Sequence, residues 1–143
     1  MPASINTILN ELVIRAALRQ AWLDSQPGTT GGHEEGGFIL RDETGKITVA
    51  RWPRGGQDTI LMPPHPNCQI DECEIVATFH THPNTGPDYL QEPGETDLRA
   101  VRDDPDLKGL GYSGEFVITA EVIYFITPAG RADELGATDE ILK

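Results

Sequence analysis

Long apolar runs are missing from this sequence. The longest, such as VIYFI at 122–126, are strand-sized and far short of the roughly 20 residues a transmembrane helix needs. No membrane span is expected. The opening stretch MPASINTILNEL has neither a basic n-region nor an uninterrupted apolar segment, so no secretory signal is read there and a cytoplasmic location is the expectation. Basic residues are scarce as well: 11 Lys and Arg face 23 Asp and Glu, for a net charge of -12. Such a chain repels a phosphate backbone, and no Lys/Arg cluster provides a local exception, so nucleic acid is excluded as a partner while cations and basic protein surfaces are attracted. Only two cysteines occur, Cys68 and Cys73 in CQIDEC. They cannot build a disulfide framework, their spacing is not that of a CxxC pair, and they read as small core residues rather than ligands.

What is present suits one compact domain over residues 1–143, with a core at about 5–127 and a polar, loosely packed surface tail at 128–143. Apolar residues from Ile5 to Trp22 follow a helical rhythm and predict one long opening helix, stopped by the turn residues of SQPGTTGG. GGFIL and ITVARW, separated by the charged turn RDETGK, predict a hairpin. The segment after them, rich in proline, leaves room only for a short edge strand near Thr59 to Met62. EIVATFHTH predicts a buried strand, NTGPDYLQEPGE a loop, TDLRAVRDD a short helix starting near Glu95 with Gly94 as its cap, and EFVIT with VIYFIT a second hairpin.

Chemistry concentrates at FHTHP. Residues two apart on a strand face the same way, so His80 and His82 can reach one ion from a short rigid backbone. A catalytic zinc takes three protein ligands and leaves the fourth position to water. Asp97, in the first turn of the short helix, is the most economical third ligand, ahead of Asp88 in the loop. His33 and His65 have no comparable support and read as surface residues.

With these residues in view, FHTHP followed by EPGETD, together with the upstream HEEGGFIL, resembles the signature of the JAMM metalloproteases, the MPN/JAB domain family. The resemblance runs from about Glu34 to Ile126. It implies an α/β fold of three layers, similar to the cytidine deaminase arrangement, with a mixed sheet flanked by helices. It also implies one Zn2+ per chain on His80, His82 and Asp97, and Glu34 as the catalytic acid/base, because Glu34 stands three residues before Gly37. Glu35 is the rival, and strand alternation allows only one of the two to face the metal. The implied activity is cleavage of amide or isopeptide bonds in the C-terminal tail or conjugates of a ubiquitin-like or sulfur-carrier protein, in a bacterial conjugation or defence setting, with the extended tail added at a sheet edge. A phage-tail type of peptidase is a further enzymatic option.

Two departures from the family pattern touch the site. Gly94 occupies the position of the motif's serine, and fourteen residues rather than ten separate His82 from Asp97. A lost oxyanion donor costs about 3 kcal/mol of transition-state stabilisation. Gly94 through its backbone N–H, or Asn84, Thr85 or Tyr89 on the longer loop, are the candidates to replace it. A domain that binds metal and a protein partner without cutting is therefore the alternative to a working hydrolase.

Overall fold

The computed structural model describes residues 4–143, so the first three positions of the expected domain lie outside it. The chain is a mixed α/β protein. Its elements are α1 (Ile5–Asn10), α2 (Leu12–Asp24), β1 (Gly36–Arg41), β2 (Ile47–Arg51), β3 (Gln69–Ile70), β4 (Cys73–Thr81), α3 (Glu95–Arg102), β5 (Glu115–Ile118), β6 (Val122–Ile126), β7 (Ala132–Ala137) and α4 (Thr138–Ile141). The strands form one sheet in the order β2-β1-β4-β5-β6-β7, with β3 on the start of β4. All pairings are antiparallel except β4 with β5, which the chain reaches by crossing through α3. Among the described residues no helix is long and apolar enough to cross a membrane.

Period-two alternation sends each strand's side chains to two different layers. Ile39, Phe79, Phe116, Ile118 and Phe125 pack with Ile8, Ile14, Leu18 and Ala21 of the opening helices. Phe38, Ile75, Val117 and Ile126 pack on the opposite face with Val101 of α3, Trp52 and Leu107. A bulge between Ile39 and Leu40 of β1, which pair with Ala77 and Ile75, leaves Val76 as the extra residue of β4. Past that bulge, Thr78 and His80 face the α3 side. Two glycines open β1 because the sheet is crowded there: a Cβ on Gly36 would fall 2.4 Å from the Trp52 ring, and one on Gly37 2.7 Å from Phe79.

Both predicted hairpins form, as β1 with β2 and β5 with β6. The single opening helix does not. It is divided at Glu11, whose backbone is extended (φ -73°, ψ 120°). In a continuous helix at about 100° per residue, Ile8 would sit roughly 120° around the axis from Ile14, yet both are buried in the same core. The break brings the two segments into phase. The short edge strand near Thr59 to Met62 is also absent. The backbone there makes a turn instead, with Gly56 N donating to Thr59 O (2.8 Å), and it is tied to Glu34 by Glu34 N to Gly56 O (2.7 Å) and Gly55 N to Glu34 O (2.9 Å).

The tail is not loose. β7 pairs with β6 along the sheet edge, Leu142 is buried, Leu135 and Ile141 pack against the opening-helix core, and Arg19 donates to Leu142 O. Its polar composition reflects an edge strand with an exposed face rather than a lack of structure. Leu142→Ala is therefore expected to lower unfolding free energy by about 2 kcal/mol or more, the range for truncating a buried leucine. A urea midpoint unchanged from wild type would return the tail to a loosely packed segment.

Candidate metal centre

Three chain segments bring polar groups to the α3 face of the sheet. His80 is the next-to-last residue of β4, and His82 follows immediately after its last residue, Thr81. Glu34 lies just before β1, two residues from Gly36, which pairs with His80. Asp97 stands in the first turn of α3. Among the described residues, Glu34, His80 and His82 form a group whose ligand atoms all lie within 4.8 Å of one another, so the site could hold a metal ion. Asp97 joins them, with Oδ1 3.3 Å from His80 Nε2 and Oδ2 3.3 Å from His82 Nε2. Glu34, His80 and His82 are each more than nine-tenths buried.

The far nitrogens of both imidazoles are engaged, which fixes the direction of the near ones. His80 Nδ1 lies 2.7 Å from Glu115 Oε2, and His82 Nδ1 lies 2.9 Å from Gln91 O. Since a carboxylate and a carbonyl only accept, both Nδ1 atoms carry a proton and both Nε2 atoms turn inward, 3.1 Å apart; each can donate to Asp97 when protonated or offer its lone pair to a metal ion when not. Glu115 is held in turn. Thr78 Oγ1 donates to Glu115 Oε1 (2.8 Å), so the Tyr112 hydroxyl, 2.7 Å away, donates to Thr78. Outer partners of this kind orient metal-binding histidines and raise their basicity.

Electrostatics bear on each member. Burial pushes the Glu34 carboxyl from its ordinary 4.5 up to about 7; His80 and His82 oppose the shift, and Asp97 and Asp58 add to it. Burial would lower His80, but Glu115 and Asp97 outweigh it and hold the imidazole well above its usual range. Asp97 shows the reverse balance: burial raises it, and hydrogen bonds from His80 and His82 hold it far below the usual carboxylate range.

The remaining candidates fall elsewhere. Glu35 points away from the site, to His33 Nε2 (2.5 Å) and Arg51 (2.6 Å). Asp88 lines the cleft without joining the cluster. Gly94 N donates to Asp97 Oδ2 at 2.9 Å, so that N–H aims the carboxylate and is not free for an oxyanion. Asn84 is a pin rather than a catalytic amide: it accepts from Gly32 N (2.7 Å) and donates to Gly32 O and Gln57 O (both 3.0 Å). Thr85 is exposed and donates to Gly28 O, away from the cluster.

Two histidines expected at the surface are not there. His33 is buried against Glu35, because the loop before β1 folds under the sheet with His33 N donating to Ser25 O. The His65 side chain is enclosed between Pro63 O and Asp104 (both 2.6 Å). Cys68 and Cys73 are free thiols, Cys68 buried, as expected of core residues. Glu115 is the functional residue the sequence reading overlooked. Its one signal was an acidic residue opening the otherwise apolar run EFVI.

The chain matches no protein-family model, no curated protein and no solved structure.

Two measurements probe this geometry. Glu115→Gln removes the charged partner of His80 and is expected to weaken metal binding by about 10- to 100-fold; equal affinity by competitive chelator titration would remove Glu115 from the site. Glu34 supplies the second. Its folded pKa is raised, so between pH 4.5 and about 7 the folded chain holds a proton that the unfolded chain releases, and stability falls through that window. In metal-free protein the cost by pH 8 is on the order of 3 kcal/mol. Glu34→Gln should thus match wild type near pH 4 and exceed it at pH 8 in urea unfolding; parallel stability curves would contradict the shift.

Proposed function

We propose that the chain is a zinc-dependent peptidase of the JAMM type, with the three-layer MPN/JAB fold, acting on the C-terminal tail or conjugates of a ubiquitin-like protein. The observation that carries this reading is the convergence of two inward Nε2 atoms and one carboxylate beside a second carboxylate whose pKa lies near 7. Donor spacing supports zinc. A tetrahedral ion with ligands at about 2.0–2.1 Å requires ligand-to-ligand edges of about 3.3 Å; the two Nε2 atoms lie 3.1 Å apart, and each lies 3.3 Å from one Asp97 oxygen, His80 from Oδ1 and His82 from Oδ2. Nitrogen and oxygen donors with no paired thiolates suit the same metal.

Zinc, when bound, supplies Lewis acidity and a hydrolytic water that is acidic near neutral pH. The protein's own groups do the rest. Glu34 accepts the proton of the attacking water and returns it to the leaving nitrogen, a role suited to a carboxyl whose pKa lies near 7. His80 and His82 hold their Nε2 positions through Glu115 and Gln91 O, and Asp97 is aimed by Gly94 N. A second reading, a metal-binding domain that holds its partner without cleavage, is favoured by Gly94 itself, which lacks the motif hydroxyl and whose N–H is already committed to Asp97.

Protein purified without added metal is expected to carry about one zinc per chain by elemental analysis, lost in the His80→Ala, His82→Ala double variant; absence of zinc in wild type would overturn the proposal. A ubiquitin-like protein with a C-terminal extension should be trimmed, with kcat reduced at least ~100-fold in Glu34→Ala. If wild type is inert but zinc-loaded, and Gly94→Ser gains hydrolysis, the non-cleaving reading replaces the peptidase.

A further inference from the structure

Glu35 is a buried carboxylate that the proposed chemistry leaves unused, yet both of its oxygens are taken. Arg51 Nη2, at the end of β2, donates to Oε1 at 2.6 Å, and His33 Nε2 lies 2.5 Å from Oε2. The other ring nitrogen of His33 has no partner among the described residues, so the hydrogen bonding of that side chain is spent on Glu35 alone. Arg51 is itself fixed to Asp24, the last residue of α2, at 3.1 Å. A carboxylate that is 8% exposed and matched in this way by charge-assisted bonds is held in one place.

That anchor holds a rung of the sheet. In the antiparallel register of β1 on β4, Gly36 pairs with His80, so one step back along the chain Glu35 stands opposite Thr81, and two steps back Glu34 stands opposite His82. The Glu35 rung is closed: Thr81 N donates to Glu35 O at 2.9 Å, and Glu35 N donates to the Thr81 hydroxyl at 3.0 Å. Opposed residues of an antiparallel pair share a face, so this rung sends Glu34 to the side on which His80 and His82 lie. A slip of one residue would exchange the faces of Glu34 and Glu35. The backbone bonds of Glu34 run to Gly55 and Gly56 rather than to β4. Its place beside the histidines therefore depends on the neighbouring rung.

We propose that Glu35 is the positioning residue for Glu34: gripped by Arg51 and His33 on the far side of the sheet, it keeps the Glu35–Thr81 rung closed and so holds the Glu34 carboxylate beside His80 and His82. Glu35 does not line the cleft and acts only through its neighbour. The two adjacent glutamates divide the work, one facing the metal site and the other fixing which of them does. The catalytic meaning of this rests on the peptidase reading, in which Glu34 is the acid/base; the placement of the Glu34 side chain does not.

The test compares Glu35→Ala, which removes the grip, with Arg41→Met, which breaks the Arg41–Glu74 pair at the other end of β1. Crystal structures of the zinc-loaded chains are expected to show the Glu34 carboxylate outside its 4.8 Å group with His80 and His82 in Glu35→Ala and within it in Arg41→Met. On a ubiquitin-like protein with a C-terminal extension, Glu35→Ala should lose kcat about 10- to 100-fold, the cost of a misplacement near 1 Å, with KM and zinc affinity kept. In a Glu34→Gln background the same change should add no further loss, because it acts through a carboxylate already removed. A Glu34 carboxylate left in place by Glu35→Ala overturns the inference. So does an equal displacement in Arg41→Met, a fall in zinc affinity matching that in kcat, or a further loss in the Glu34→Gln background. Should Glu35→Ala fail to fold, Arg51→Met removes one end of the same anchor and is read by the same criteria. A wild type that does not cleave, with Glu34 displaced in Glu35→Ala, defeats the peptidase reading alone; cleavage with kcat untouched by Glu35→Ala defeats only the positioning role.

Discussion

A buried carboxylate must be matched by donors, and the match made by Glu115 organises this protein's site. At 3% exposure it would be costly to leave unpaired. It is met by Thr78 and by the Nδ1 proton of His80. Both donors lie on β4 and the acceptor on β5, so the contact depends on the only parallel strand pairing among the described residues, in which Thr78 is the partner of Glu115 and His80 that of Val117. A parallel pair needs a crossover. Here the crossover contains α3, whose first turn carries Asp97. One topological step thus sets the orientation of His80 and delivers the carboxylate that faces both histidines.

The loop between His82 and α3 is more than a spacer. Gln91 supplies the carbonyl for His82 Nδ1 and donates through its amide to Asn84 O, Asn84 grips Gly32 and Gln57, and Gly94 N holds Asp97. Backbone groups of an irregular segment require partners, and this loop finds them by fastening the histidine strand, the turn bearing Asp58 and the helix start to one another. Its length accommodates that framing, which also shapes the cleft.

Much of this was legible in the residues. The HTH spacing on a strand, the acid in the first turn of a helix and the alternation separating Glu34 from Glu35 are local, and local periodicity reads directly from sequence. What was not legible depends on which strands become neighbours. Glu115 gains its role only when β5 lies parallel beside β4, thirty-five residues from His80 in the chain. The burial of His33 and His65 comes from loops folding back on the sheet, and the order of the tail comes from an edge of β6 left open for β7. The break at Glu11 has the same origin: the rhythm from Ile5 to Trp22 is helical throughout, and only the demand that Ile8 and Ile14 meet the same sheet divides it.

Gly94 can be weighed on packing alone. Its backbone (φ -87°, ψ 174°) is open to any residue, so no conformational need for glycine exists there. A Cβ at this position would meet only Leu90 Cδ1 at 3.2 Å, the end of an exposed and flexible side chain, with Asp97 Oδ2 3.9 Å away. A serine would therefore fit after a small movement of Leu90, and its backbone N–H could still aim Asp97. Since neither the fold nor the ligand set excludes the hydroxyl, glycine here is a matter of chemistry or of cleft width rather than of stability. The crowded glycines of this chain, such as Gly36 against the Trp52 ring, mark where the fold demands the absence of a side chain; Gly94 belongs to the wall that an occupant meets.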